Sequence, residues 1–437
     1  MTASTWPRVL TLLRRGSFGL LTACLLAGVT LAFAPKSEDT LLVWASDKEH
    51  VEPDFIAVID FERESPTYGT VLRRVPLSGS SAVGNEPHHV GLSRDGRTMA
   101  LGGLLSVLRG QDQVFFFDVS DRRNPTFIKS HNPPASITDE FAPLSNGGFL
   151  VTFMGGVGGT QPGRVVEYNA KAGFVQAWPL APPAEGFNPH GLSIDEGHNL
   201  MVTSDFICPL KTLHDHQGNG GTVDIRGSVR VWDLARRAIR KTIVVGNPAN
   251  PAGTMEVQLI PRDRPLRAYT AGMADGMLYL VDTQAGTATA VFDFSALSPV
   301  GTAAMPQLLR MNREGTHLFV TLNGAGKVVM FNIARPDRPQ VMSVVDLGPE
   351  SGPHYLSLTR DEKRLVVTDY FLVEDLVPGG IVNVEGDHKI HVINVHGNRL
   401  ELDTAFDVDF DRDITTGAAR PHGVVMLPGA SEATPRK

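Results

Sequence analysis

Cysteine is almost missing from this chain. Only two occur in 437 residues, and Cys24 lies in an apolar run near the N-terminus, which leaves Cys208 by itself. That excludes an intrachain disulfide once the run is set aside, and it excludes a cysteine-rich metal site. Cys208, in SDFICPLK, reads as a small hydrophobe at the end of a strand. Positive charge is also scarce. There are 40 Lys and Arg against 47 Asp and Glu, a net charge of −7, which leaves no electrostatic footprint for nucleic acid. A phosphate-binding loop is absent too, since the Gly-rich MGGVGGTQPG at 154–163 opens no helix. No Ser-centred nucleophile elbow is present.

One long apolar run exists. GSFGLLTACLLAGVTLAFA, residues 16–34, carries no charge and follows Arg8, Arg14 and Arg15. A basic segment, an apolar segment and a closing AFA read as an export signal over residues 1–35, which implies a periplasmic or exported protein. The alternative is a retained membrane anchor facing the periplasm, because 19 apolar residues can span a bilayer and Pro35 disfavours cleavage after AFA.

The rest of the chain is built for turns, with 44 Gly and 30 Pro, and 42% hydrophobic residues suffice for a large core. A repeat organises it. EPHHVGLSRDGRTMALGG begins at Glu86, TDEFAPLSNGGFLVTFMGG at Thr138, and FNPHGLSIDEGHNLMVTSDF at Phe187. TMEVQLIPRDRPLRAYTAGM begins at Thr254, MPQLLRMNREGTHLFVTLNG at Met305, GPHYLSLTRDEKRLVVTDYF at Gly352, and RPHGVVMLPG at Arg420. Each is an apolar strand, a polar turn and a second apolar strand. Between the copies lie alternating runs such as IAVIDFE, VFFFDVS and VRVWDLA, ending at Asp60, Asp118, Asn169, Asp233, Asp282, Asn332 and Asn394. Period-2 runs closed by Asp or Asn are strands that enter hairpins. Seven units of this kind predict an all-β fold, a seven-bladed β-propeller over residues 40–430. The final copy supplies one inner strand and the N-terminal segment lacks one. The N- and C-terminal strands should therefore pair, with 41–60 and 420–428 in one blade. Residues 208–227 and 371–389 read as long insertion loops. Trp232 and Tyr168 read as core.

Aligning the copies by turn and second strand gives one ring position per blade: His88, Glu140, His190, Glu256, Gln307, His354 and His422. Inner strands line the channel of a propeller, so these side chains should converge, with His89 beside His88. A lone Pro-His-Gly at a strand entry is ordinary turn chemistry. Four histidines at one repeat position are a candidate ligand set, and imidazole suits Cu, Zn, Fe and Ni. The expected metal ligands are His88, His89, His190, His354 and His422, with Glu140 and Glu256 as catalytic carboxylates that move protons or serve as partners for the histidines. His198, His214, His216, His317, His388, His391 and His396 fall off the register and read as surface or loop residues. His214 and His216 form an i, i+2 pair in an insertion.

DFIAVIDFERESPTYGTVLRRVPL followed by EPHH, then GSVRVWDL, MEVQL, HLFVTLNGAGKVVMFNIARPDRP, LSLTRDEKRLVVT and PHGVVMLPG, resembles the selenium-binding protein / methanethiol oxidase family in the same order. The resemblance implies a seven-bladed propeller. It also implies an exported copper enzyme that oxidises methanethiol with dioxygen and water to formaldehyde, hydrogen sulfide and hydrogen peroxide. By it, His88 and His89 match the family's paired histidines, Glu256 its glutamate in the fourth copy, and His422 its last-blade histidine. The family's Cys-x-x-Cys after the paired histidines is replaced by LSRDGRTMA, so selenium capture by a cysteine pair is not expected. Its histidine-rich stretch in the second copy is replaced by TDEFAPL, and His190 and His354 stand where several members carry other residues. This is the pattern of a divergent bacterial member.

The expected function is oxidation of a small sulfur compound by dioxygen at a copper centre. No nucleic acid is involved, and self-association into a homo-oligomer is left open. The rival is a non-enzymatic metal- or partner-binding propeller of the cell envelope. A lactonase-like hydrolase ranks last, because it would want several Asp or Asn ligands for Ca²⁺ and the ring as aligned has none.

Overall fold

The computed structural model describes residues 38–209, 224–369 and 386–429. The expected N-terminal signal or anchor, most of both insertion loops, and His214 and His216 lie outside these residues.

Seven four-layer sheets radiate from one axis. Blade 1 runs from an innermost strand at Pro87–Leu92 to an outer one at Thr126–His131, and blade 2 from Ser136–Pro143 to Phe174–Trp178. Blades 3, 4 and 5 begin at Pro189–Asp195, Thr254–Leu259 and Pro306–Met311. Blade 6 begins at Tyr355–Leu358 and carries one extra short strand, Val408–Asp409. In blade 7 the innermost strand is Ala419–Pro428, followed outward by Glu38–Asp47, Phe55–Asp60 and Val71–Pro76. The two ends of the chain thus close the ring, with Leu41 opposite Met426 and Val43 opposite Val424. Each innermost strand packs on the next, and the last packs on the first.

Why the layers fall in this order is visible in the strands. The second and third strands are apolar on both faces and lie buried, as in Phe55–Asp60 and Phe149–Gly155. Trp232, Tyr168 and Trp44 are fully buried. Each such side chain contributes about 1.5–3 kcal/mol on leaving water. The outer strands are half exposed and carry Arg73 and Arg74, Lys129, or Arg240 and Lys241. Cations on an exposed edge discourage pairing with other chains.

One irregularity recurs and sets up the site. In six of the innermost strands the register slips at the same place: between Pro87 and Val90, Thr138 and Phe141, Pro189 and Leu192, Thr254 and Val257, Pro306 and Leu309, and opposite Val43 and Ala45 in blade 7. Two residues there face one, which is a β-bulge. In blade 6, Tyr355 pairs with Thr368 while the His354 N–H also donates to the Thr368 carbonyl. A Ser or Thr on the second strand of one blade then holds the bulge of the next. Ser204 donates to the Met255 carbonyl at 2.7 Å, Thr321 to His354 at 2.9 Å, and Thr368 to His422 at 2.8 Å.

The blades approach closely at the bulges. A Cβ on Gly423 would lie 2.5 Å from the His88 carbonyl oxygen. Gly423→Ala is therefore expected to push blades 7 and 1 apart and to lower stability by about 1–3 kcal/mol. Thermal denaturation checks this, and an unchanged midpoint would show that the seam yields without cost.

Candidate metal centre

The six bulges, and the equivalent place in blade 6, set two residues at the inner edge of each blade. They are His88 and His89, Asp139 and Glu140, His190 and Gly191, Met255 and Glu256, Gln307 and Leu308, His354 and Tyr355, and His422 and Gly423. The ring aligned from sequence was therefore one residue out in two blades. Asp139 and Met255 share the position of His88, whereas Glu140 and Glu256 share that of His89. The signal that finds the true register is the residue before each pair, which is Pro at 87, 189, 306, 353 and 421 and Thr at 138 and 254. Asp139 thus takes the ring position of blade 2 that the sequence alignment gave to Glu140.

Four imidazoles meet on the axis. His88, His89, His354 and His422 are buried, and one ring nitrogen from each lies within 4.8 Å of the others. His88 stacks on His89 with ring centres 4.4 Å apart, and sits 4.2 Å from His422, which is 4.8 Å from His354. Nε2 of His89 stands 3.2 Å from Nε2 of His354. Four nitrogens bound tetrahedrally at ~2.0 Å would be roughly 3.3 Å apart, so this spacing fits a shared ion.

In His88, His89 and His354 one ring nitrogen has a partner of the kind that metal-bound histidines use. His354 Nδ1 bonds to Gln307 Oε1. His89 Nδ1 lies 3.1 Å from Glu140 Oε2 and 3.3 Å from Asp139 Oδ1. His88 Nε2 lies 3.3 Å from Asp139 Oδ2. Burial pushes His88 down to about 4, aided by the neighbouring His89 and opposed by Asp139. Burial, with the adjoining histidines, also holds His354 and His422 well below the ordinary imidazole value. Neutral imidazole is the form that ligates. Burial tends to raise Asp139, but His190 and His89, with hydrogen bonds from His190 and His88, hold it well below the usual carboxylate range. The centre thus sets a buried, ionised carboxylate beside His88, with His354 and His422 also kept neutral by burial.

The five expected ligands do not all converge. His190 is outside the group of four and instead joins His88 and Asp139 in a second set whose donor atoms lie within 4.8 Å of one another, with Nδ1 3.0 Å from Asp139 Oδ1. Asp139 therefore ties three histidines together. Asp139→Asn is expected to lower metal affinity about 10–100-fold by loosening His88 and His89. Metal titration of the variant checks this, and wild-type affinity would show that Asp139 positions nothing.

Glu140 and Glu256 part company. Glu140 backs His89, while Glu256 touches no imidazole. Arg310, missed in the sequence, lies between them, with Nη2 3.6 Å from Glu140 Oε1 and Nη1 3.8 Å from Glu256 Oε2. Burial tends to lower Arg310, but the two glutamates prevail and hold it charged. Burial first, and then Glu140, raise Glu256 well above its ordinary value against the pull of Arg310. Arg310 also caps the ring of Tyr355, which meets His89 edge-on at 5.1 Å. Glu140, Arg310 and Tyr355 line a cleft of about 350 Å³, together with Val90, Phe141, Gln258 and Val424. That cleft is one way from solvent toward the histidines.

Of the off-register histidines, His198 and His396 are exposed, and His317 is partly buried and bonded to Asn398. His388 and His391 were expected as surface or loop residues, and His388 does lie in a bend, but it is buried, while His391 is a half-buried strand residue. His388 is buried against Asp411, and His391 faces Asp369 and Asp387. An insertion flanks them in sequence, which hid the strand they enter.

The profile of the 56kDa selenium binding protein (SBP56) family matches residues 27–434. The chain belongs to this family. A methanethiol oxidase of Hyphomicrobium sp. is 22% identical over 396 residues, 87% of this chain and 86% of that protein. Another methanethiol oxidase, from Ruegeria pomeroyi, is 26% identical over 334 residues, 69% of this chain and 72% of that one. Among solved structures, a selenium-binding protein from Sulfolobus tokodaii superposes with a TM-score of 0.72 at 19% identity, covering 89% of this chain and 94% of that chain. A periplasmic gluconolactonase from Pseudomonas aeruginosa gives 0.62 at 14% identity, covering 89% and 98%, which is likeness of fold alone.

Proposed function

We propose that this member of the selenium-binding protein family is a copper-dependent oxidase of small thiols that works in the periplasm or anchored facing it. The observation that carries the reading is the four-imidazole cluster of His88, His89, His354 and His422, backed by Asp139, Glu140 and Gln307. The two relatives named for methanethiol oxidation support the substrate class. The basic and apolar N-terminal run supports the location.

In this reading the four histidines hold copper, which supplies one-electron redox chemistry between thiol and dioxygen. The other roles belong to side chains. The cleft is large enough to admit a small thiol. Glu140, at its floor, takes the thiol proton, and the fixed charge of Arg310 stabilises the thiolate. Glu256, kept protonated by burial, is the second proton carrier. Tyr355 separates the cleft from His89 and keeps bulk water from the histidines. Overall, the carbon of methanethiol loses two electrons to dioxygen, giving peroxide. Water supplies the aldehyde oxygen, and sulfur leaves as hydrogen sulfide.

The test is peroxide release from copper-loaded protein supplied with methanethiol. About one peroxide per thiol consumed is expected, and Glu140→Gln should slow turnover by about 10²–10⁴-fold if it carries the proton. Copper bound with no peroxide from any small thiol would leave the metal centre and remove the oxidase. The envelope-binding alternative would then stand.

A further inference from the structure

Blades 3 and 6 place a buried aspartate at the same point and neutralise it differently. Ser204 and Thr368 hold the bulge carbonyls of the next blades, so Asp205 and Asp369, one residue on, are equivalent. Across the sheet, Thr203 pairs with Arg230 and Val367 with His391. In blade 3, Asp205 receives the Arg230 guanidinium at 2.6 Å, and also Ser228 and the Asn188 N–H. Both oxygens of that carboxylate have donors, and Arg230 reaches on to the exposed Glu185.

In blade 6 the arginine is replaced by His391, and a second carboxylate joins. His391 Nε2 contacts Asp369 Oδ2 and lies 3.5 Å from Asp387 Oδ2. Asp369 is fully buried, and its Oδ1 has no hydrogen-bond donor, in contrast to Asp205. Donor atoms of the three side chains all lie within 4.8 Å of one another. Asp387 and His391 keep slight exposure, which leaves an ion a way in. Blade 3 gives its buried aspartate a guanidinium and two further donors, whereas blade 6 offers one imidazole to two carboxylates and leaves Asp369 Oδ1 without a donor.

We propose that Asp369, Asp387 and His391 form a second metal site, separate from the central histidines, that takes a divalent ion of the zinc class. One nitrogen and two oxygen donors suit zinc, with a fourth position for water. Asp369 and Asp387 bracket residues 370–385, and the backbone at Gly386 already lies against the Asp369 carbonyl. The ion would clasp both ends of that insertion to the blade.

The test uses the full chain with His88→Ala and His89→Ala, which takes a ligand from every central group that could hold an ion, and Zn²⁺ as the only probe. Equilibrium dialysis should find about one zinc per chain. Adding Asp369→Asn or His391→Ala should remove that zinc. His391→Arg, which copies the Arg230 arrangement of blade 3, should fold as stably as the parent and bind none. Absence of zinc from the parent, or its retention in Asp369→Asn or in folded His391→Arg, would overturn the proposal and leave an Asp–His–Asp ion pair.

Discussion

A chain carrying His354→Ala is expected to lose copper affinity by about 100-fold and yet to fold. Metal binding at a four-ligand site totals about 10–16 kcal/mol, so one ligand in four accounts for roughly 3 kcal/mol, or about 100-fold. The substitution removes the Nε2 that stands 3.2 Å from His89 Nε2, and it strands Gln307, whose Oε1 is bonded to His354. His422→Ala should behave alike. The fold should survive because the blades are held by buried strands such as Leu318–Leu322 and Leu365–Thr368. His198→Ala, at an exposed position, should change neither metal content nor stability. Copper per chain after dialysis, with thermal unfolding as control, reads both effects. Full loading in His354→Ala and His422→Ala alike would leave the cluster without a role.

The second large effect is expected at Arg310. Arg310→Met keeps the bulk of the side chain and removes the one cation between two buried glutamates. Taking one partner from a buried ionic group costs about 3–5 kcal/mol, because the remaining charge is left without compensation. The unfolding midpoint should fall accordingly. Adding Glu140→Gln should restore part of the loss, because it removes the carboxylate that Arg310 offset, Glu256 being already held protonated by burial. Copper loading should stay near wild type, since Arg310 contacts none of the four histidines, while thiol turnover should fall. A midpoint unchanged in Arg310→Met would mean that the glutamates are screened by solvent.

The architecture was legible in the sequence because its signal is repeated seven times. Each alternating run ends at an Asp or Asn turn, and the half-blade PHGVVMLPG near the C-terminus has its complement in LLVWASD and IAVIDFE. The site was legible only in part. Histidines at 88, 190, 354 and 422 stand in identical register after proline, so they aligned themselves. In blades 2 and 4 threonine replaces that proline, and the alignment slid toward the nearest glutamate, past Asp139 and Met255. A bulge makes such a slip easy, since both of its residues sit at the inner edge of the blade and either satisfies the pattern. His190 matches in register but not in company, because the ring is wide enough that Asp139 intervenes. Arg310 has no counterpart in other blades, where the third residue after the ring position is Gly91, Ala142, Ser193 or Gln258. A lone arginine in PQLLRM was the available signal. The acidic pocket of blade 6 was hidden differently, because Asp387 comes from the far side of an insertion and no repeat predicts it.

The measurement closest to the central claim is the electron paramagnetic resonance spectrum of the protein loaded with one equivalent of Cu²⁺. Copper held by His88, His89, His354 and His422 should give a single species with coupling to several nitrogens, and that species should be lost in the His354→Ala, His422→Ala double variant. A spectrum dominated by oxygen ligands, or one unchanged in the double variant, would contradict the four-histidine centre.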